Sequence, residues 1–123
     1  MSSALEVGKE IVTLVTEGKW QEAVDKFYSP DIVSVEAMEG DMQTVKGLAA
    51  IQQKMEWWEK GFEVHSVKVD GPYPNGDEFV LFYDMDVTDR EKGARFPMRE
   101  AAVYTVKDGK IVHEKFYYAG EGE

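Results

Sequence analysis

Apolar residues recur at helical spacing in the first half of the chain and alternate with polar ones in the second half. Leu5, Gly8, Ile11, Val12 and Val15 form one stripe. It follows Ser3-Ala4-Leu5-Glu6, whose Ser and Glu are spaced for a capping box, and Gly18 ends the helix. Trp20, Ala23, Val24 and Phe27 make a second, shorter stripe stopped by Ser29-Pro30. Residues 32–37 are rich in β-branched side chains and read as a strand. A turn at 39–41 follows, and residues 42–45 read as its short return strand. Leu48, Ile51, Met55 and Trp58 share one side of a third helix, opened by Gly47 and closed by Gly61.

From there the pattern is β. Residues 62–70, 78–88, 95–106 and 111–118 predict four long strands, joined by 71–77, 89–94 and an Asp108-Gly109 turn. Helices followed by antiparallel strands define an α+β domain. A strongly twisted sheet of this kind curls as a cone over three N-terminal helices and encloses a cavity. Trp20, Phe27, Ile51, Met55 and Trp58 are expected between the layers. Residues 1–123 form one domain, with 119–123 read as a disordered tail.

The last hairpin decides where the acids go. Pairing Val106 with Lys110 sets Ala102 opposite Glu114 and Glu100 opposite Phe116. Alternation then puts Met98, Glu100, Ala102, Tyr104, Val112, Glu114, Phe116 and Tyr118 on one face. Two acids among aromatic and apolar groups suit a pocket lining better than a plain core. A two-residue Asp108-Gly109 turn instead shifts the register by one and separates the two acids. On the first register the opposite face carries Ala101, Val103, Ile111 and Tyr117, too apolar to leave in water, and predicts a homodimer.

Composition narrows the function classes. The net charge of −10 opposes nucleic-acid and anionic-membrane binding. With no Cys there is neither a disulfide framework nor thiol chemistry. No run approaches the ~20 apolar residues of a membrane span, and the N-terminus lacks signal-peptide regions, so the expected location is cytoplasmic. Two His residues rule out a His-rich metal site, and no motif supports a mixed His/carboxylate site at His65 with Glu100 or Asp86. No phosphate loop, nucleophile elbow or dinucleotide fingerprint is present, so no cofactor is implied.

The element order over nearly the whole chain resembles the nuclear transport factor 2-like superfamily. Val106-Lys-Asp-Gly-Lys-Ile111 and Glu114-Lys-Phe-Tyr-Tyr118, together with Gly71-Pro72, Gly76-Asp77 and Asp86-Val87-Thr88, resemble its SnoaL-like, polyketide cyclase-like branch. The resemblance implies a conical α+β fold with an internal pocket. It leaves activity open, since isomerases, cyclases, dehydratases, hydrolases and binding modules share the scaffold. Enzymes of the family commonly carry an acid or His on the strand before the Asp-Gly turn. The position that ketosteroid isomerases use for a neutral, hydrogen-bond-donating acid falls on Ala102, which argues against a steroid-isomerase mechanism.

Candidate chemistry therefore rests on Glu100 and Glu114. Two carboxyls close together in an apolar pocket titrate apart, giving an acid and a base for work on a carbonyl compound. The plainer alternative pairs Glu114 with Lys115 or Lys110, and Glu100 with Arg99 or Arg95. Asp84 and Asp86 interrupt an apolar strand; facing inward, Asp86 is a third acid of the site, and facing outward the two are solvated or interfacial. His65 is either an acid/base of the cavity or a hydrogen-bonded core residue. Phe27, Tyr28, Tyr104, Phe116 and Tyr118 are core aromatics or line a pocket for a flat apolar or aromatic ligand, and Trp57 borders either the mouth or a subunit contact. The leading expectation is a cofactor-free acid/base enzyme of isomerase, cyclase or dehydratase type. A non-catalytic ligand-binding module and a structural dimer are the alternatives.

Overall fold

A computed structural model describes residues 3–40 and 43–118. The chain runs α1 (Ala4–Thr16), α2 (Trp20–Phe27), β1 (Tyr28–Val35), β2 (Thr44–Lys46), α3 (Leu48–Gly61), β3 (Phe62–Asn75), β4 (Glu78–Asp89), β5 (Ala94–Lys107) and β6 (Lys110–Tyr117). Part of the expected turn and return strand, residues 41 and 42, and the expected tail, residues 119–123, lie outside the described residues.

Helix α1 begins where its capping box predicts. Ser3 Oγ accepts from the Glu6 amide at 3.2 Å, and the Ser3 amide donates to Glu6 Oε1 at 3.0 Å. Helix α1 buries Ala4, Val7, Ile11 and Val15, while Leu5, expected in the stripe, is 36% exposed. The roll of α1 follows its contact with β3: a Cβ on Gly8 would lie 2.7 Å from Pro72 Cβ, so only glycine permits this approach. Leu48 and Trp20 are also partly exposed, and Trp20 leans on the Tyr83 ring at 5.8 Å.

Six strands form one curved, unclosed sheet in the order β2-β1-β6-β5-β4-β3. The β1–β6 pair is parallel and the others are antiparallel. Together with the three helices it makes an α+β cone. Strand β3 outruns its expected end at residue 70, because pairing resumes from Tyr73↔Val80 to Asn75↔Glu78 after an irregularity at Gly71-Pro72. Gly71, at φ +128°, sits where a Cβ would meet the Val80 carbonyl oxygen at 2.8 Å. Inward, β4 presents Phe79, Leu81, Tyr83, Met85 and Val87, and β5 presents Ala102, Tyr104 and Val106; these pack with α1 and α2 into one core. Helix α3 covers the other end. It packs on β1, β2 and β3.

The β5–β6 hairpin combines the two expected registers. Asp108 (φ 52°) and Gly109 (φ 77°) form a two-residue turn between Lys107 and Lys110, which alone would put Glu100 and Glu114 on opposite faces. One extra residue in β6, between Val106↔Ile111 and Thr105↔His113, restores the shared face. Glu114 thus pairs with Tyr104 and Phe116 with Ala102, a correction of two residues to the expected pairing. The two-residue turn itself sets Ile111 opposite the inward Val106, at 0% exposure, where Val112 was expected, and so removes Ile111 from the outer face. Among the described residues no helix is long and apolar enough to cross a membrane.

Candidate functional site

Strand β1 enters beside β6 in parallel, pairing Ser34 with Glu114 and, across an irregularity, Tyr28 with Ile111. This brings hydroxyls to the buried end of β6. Glu114 is 3% exposed. Its Oε2 accepts from Ser34 Oγ at 2.6 Å, and its Oε1 accepts from Tyr28 Oη. Lys54 of α3 donates to Ser34 Oγ at 2.8 Å and forms an ion pair with Glu36, just beyond β1. Tyr118 Oη donates to the other Glu36 oxygen at 3.2 Å, and Lys54 Nζ stands 4.8 Å from the centre of the Phe116 ring. Deeper, Tyr83 and Tyr104 share a hydroxyl–hydroxyl hydrogen bond of 2.6 Å, and Tyr104 stacks on Phe79 at 4.9 Å.

Burial lifts the Glu114 carboxyl above the ordinary glutamate range, although the Ser34 and Tyr28 hydroxyls and the Lys54 charge oppose the shift. Glu100 stands apart. Half-buried on the inner face of β5, it takes part in no hydrogen bond or ion pair among the described residues. Its oxygens are not among sealed, unsatisfied atoms, so solvent reaches them. Burial, then the negative charge of Glu36, raises its pKa to about 7; Lys54 counteracts and Glu114 adds to the rise. Burial likewise pushes Tyr28, Tyr83 and Tyr104 up, keeping them neutral donors.

Several expected members lie elsewhere. Asp86 is on the outer face, because alternation along β4 sends its even positions away from the buried Tyr83, Met85 and Val87. It accepts from Arg95 at 2.7 and 3.1 Å, and this pairing lowers its pKa. His65 sits at an irregularity in β3, where Nε2 is 2.7 Å from Thr88 Oγ1 and Nδ1 is 3.7 Å from Glu63, also outside the cone. Trp57 is 66% exposed and meets the edge of Phe62, which itself packs on Trp58 and Phe96, so it lies outside the hydrogen-bonded network at the α3 end of the cone; Phe27 belongs to the closed core. The lysines of the alternative pairing are occupied elsewhere: Lys110 donates to the Lys26 carbonyl, and Lys115 covers Tyr117. Tyr28, Met98, Ala102, Tyr104, Phe116 and Tyr118 all share the inner side with the two glutamates.

Ser34, Glu36, Lys54 and Tyr83 were not among the expected site residues. Their signal was present: Ser34 and Glu36 share the parity of Ile32 on β1, and Lys54 lies three residues after Ile51 and four before Trp58 on the inward stripe of α3. Two depressions lie away from this network. One, of about 480 Å³, opens on the outer face among Ser66, Lys68, Asp84, Asp86, Arg95 and Pro97. The other, of about 300 Å³, lies where Ser3 meets the β3–β4 and β5–β6 turns. Among the described residues no cluster of His, Asp or Glu is arranged to hold a metal ion.

Residues 2–118 match the model of the SnoaL-like domain. The chain belongs to the SnoaL-like family. A Mesorhizobium loti protein, provisionally described as a SnoaL-like polyketide cyclase and also as a carbohydrate phosphatase, is 44% identical over 95% of this chain and all of its own, with a TM-score of 0.91. An NTF2-like protein of Burkholderia thailandensis (19% identity, 97% and 92% coverage, TM-score 0.83) shares the fold. So does a provisionally assigned isomerase of Bacillus subtilis (16%, 94% and 86%, TM-score 0.73). No curated protein matches the chain. The SnoaL-like cone thus brings Glu100, Glu114, Glu36, Lys54 and three tyrosines, Tyr28, Tyr104 and Tyr118, to the side of the sheet that faces the helices.

Proposed function

We propose that this SnoaL-like protein is a cofactor-free acid/base enzyme of isomerase, cyclase or dehydratase type, acting on a small apolar or aromatic carbonyl compound. The observation that carries the reading is Glu100: a half-buried carboxyl with no hydrogen-bond or ion-pair partner among the described residues, whose pKa of about 7 matches the working range of a general base. On this reading the ligand enters between α3 and β5, where Met55, Trp58, Phe96 and Met98 supply partly buried apolar surface. Ionised Glu100 removes a proton from carbon beside the carbonyl and returns it elsewhere. Glu114, held by Tyr28 and Ser34, fixes the charge and geometry beneath it. Of the provisional descriptions of the structural relatives, polyketide cyclase and isomerase agree with this class of chemistry and carbohydrate phosphatase does not.

A concerted carbon-acid probe tests the base without knowledge of the substrate. With 5-nitrobenzisoxazole, the C–H proton passes to the base, the electron pair closes a nitrile, and the N–O bond breaks to give a coloured phenolate. Phenolate release should depend on a group of pKa near 7 and fall by about a hundredfold or more in Glu100→Gln. Release that is unchanged by Glu100→Gln refutes the reading, and a ligand-binding module takes its place.

The outer face of the sheet carries a separate proposal. Phe82, Ala101 and Tyr117 form one cross-strand row and Val80 and Val103 a second, with Phe82 47% and Tyr117 49% exposed. The Asp86–Arg95 and Asp84–Arg99 pairs flank these rows. An apolar centre with a charged rim suits a second copy of the chain, giving a homodimer through this face.

A further inference from the structure

The Glu100 reading leaves the oxygen of the substrate without a partner, and the helix opposite supplies one. Proton abstraction beside a carbonyl moves negative charge from the base to the carbonyl oxygen, and that oxygen needs a donor or a cation. Among the described residues, Lys54 and Lys115 are the Lys or Arg side chains that are not exposed, and Lys115 lies over Tyr117 on the outer side. Lys54 is thus the cation of the interior. Its ammonium has three N–H donors. One goes to Glu36 and one to Ser34, and the third is committed to no described oxygen or nitrogen. Glu36, itself held by Tyr118, and Ser34, held against Glu114, fix the ammonium from the β1 side. The Phe116 ring 4.8 Å away supplies an apolar surface beside it.

The Lys54–Glu36 pair is also placed where stability gains little. Its side chains are only 24% and 20% exposed, so both charges have lost much of their hydration, and such a pair offsets that loss poorly. A cation kept there has a use for its charge. We propose that Lys54 receives the oxyanion that develops on the substrate carbonyl oxygen as Glu100 removes the proton. As Glu100 takes the proton it becomes neutral, and the charge it held appears on an oxygen next to Lys54, so the interior keeps the same total charge throughout. The inference rests on Glu100 as the base, but it has its own test.

The probe is 4-nitrophenol, a planar oxyanion whose ionisation is read by absorbance, titrated into the wild type, Lys54→Met and Lys54→Arg. Far-ultraviolet circular dichroism checks the fold of each variant. The wild type should bind the phenolate form. Lys54→Met should bind the phenol with at least a tenfold smaller ionised fraction at the same pH, and Lys54→Arg should recover part of it. Phenolate release from 5-nitrobenzisoxazole should fall at least tenfold in Lys54→Met. Equal ionisation of bound nitrophenol in wild type and Lys54→Met overturns the proposal, as does failure of the wild type to bind it. Binding of benzylamine in preference to 4-nitrophenol overturns it too, since the site would then be one for cations. Loss of release in Glu100→Gln with none in Lys54→Met rejects Lys54 alone. Retention of release in Glu100→Gln rejects the base itself.

Discussion

Replacing Glu100 by Gln should stabilise the protein, and only above the acid range. In the folded chain this carboxyl titrates near 7, against 4.5 when unperturbed, because burial and the Glu36 charge oppose its ionisation. The folded state therefore holds the proton more tightly than the unfolded state. Stability from this group is complete below pH 4.5, falls as pH rises toward 7, and is constant above that. The gap, at ~1.4 kcal/mol per pH unit, amounts to about 3 kcal/mol. Gln is isosteric and uncharged, and since solvent reaches the Glu100 oxygens its amide need not be left unsatisfied. Urea unfolding at pH 5 and pH 8.5 isolates the effect, since other titrations cancel between the two proteins. The advantage of Glu100→Gln over wild type should grow by about 2 to 3 kcal/mol between these pH values. Growth below about 0.5 kcal/mol, or a reversal of sign, would mean that the carboxyl is well solvated or ion-paired, and the general-base reading would lose its foundation.

Three further outcomes test the rest of the fold. Glu114→Ala removes the acceptor for Tyr28 and Ser34 in the core and should cost about 3 kcal/mol or more, whereas Glu114→Gln, whose hydroxyl partners can reorient, should unfold within about 1 kcal/mol of wild type; chemical denaturation separates the two. Val103→Arg, between Val80 and Lys115 on the outer face, should shift sedimentation from dimer to monomer and leave circular dichroism unchanged. Gly8→Ala places a methyl 2.7 Å from Pro72 Cβ and should lower stability by about 1 to 3 kcal/mol despite the better helix propensity of Ala, as read by thermal unfolding.

Much of the architecture was legible because it is set by local chemistry. The Ser3–Glu6 box, the stripes of α1, α2 and α3, the alternation of β4 and β5 and the Asp108-Gly109 turn each depend on neighbours within a few residues. Those rules also put Met98, Glu100, Ala102 and Tyr104 on one face of β5, whatever that face meets. Which face of β4 turns inward is another matter: alternation leaves two choices, and packing against α1 and α2 sends Asp86 outward to Arg95. Glu114 needed still more, since a single bulged residue of β6 reverses the face that the turn alone dictates. Its partners come from far along the chain. Ser34 and Tyr28 arrive through parallel pairing of β1 with β6, across sequence separations of 80 and 86 residues, and Lys54 arrives on a helix laid over the end of the cone. Periodicity has no reach over such distances. A polar residue at an inward position, such as Ser34, Glu36 or Lys54, announces only that it will need a partner; the curling of the open sheet over the helices decides which one it finds.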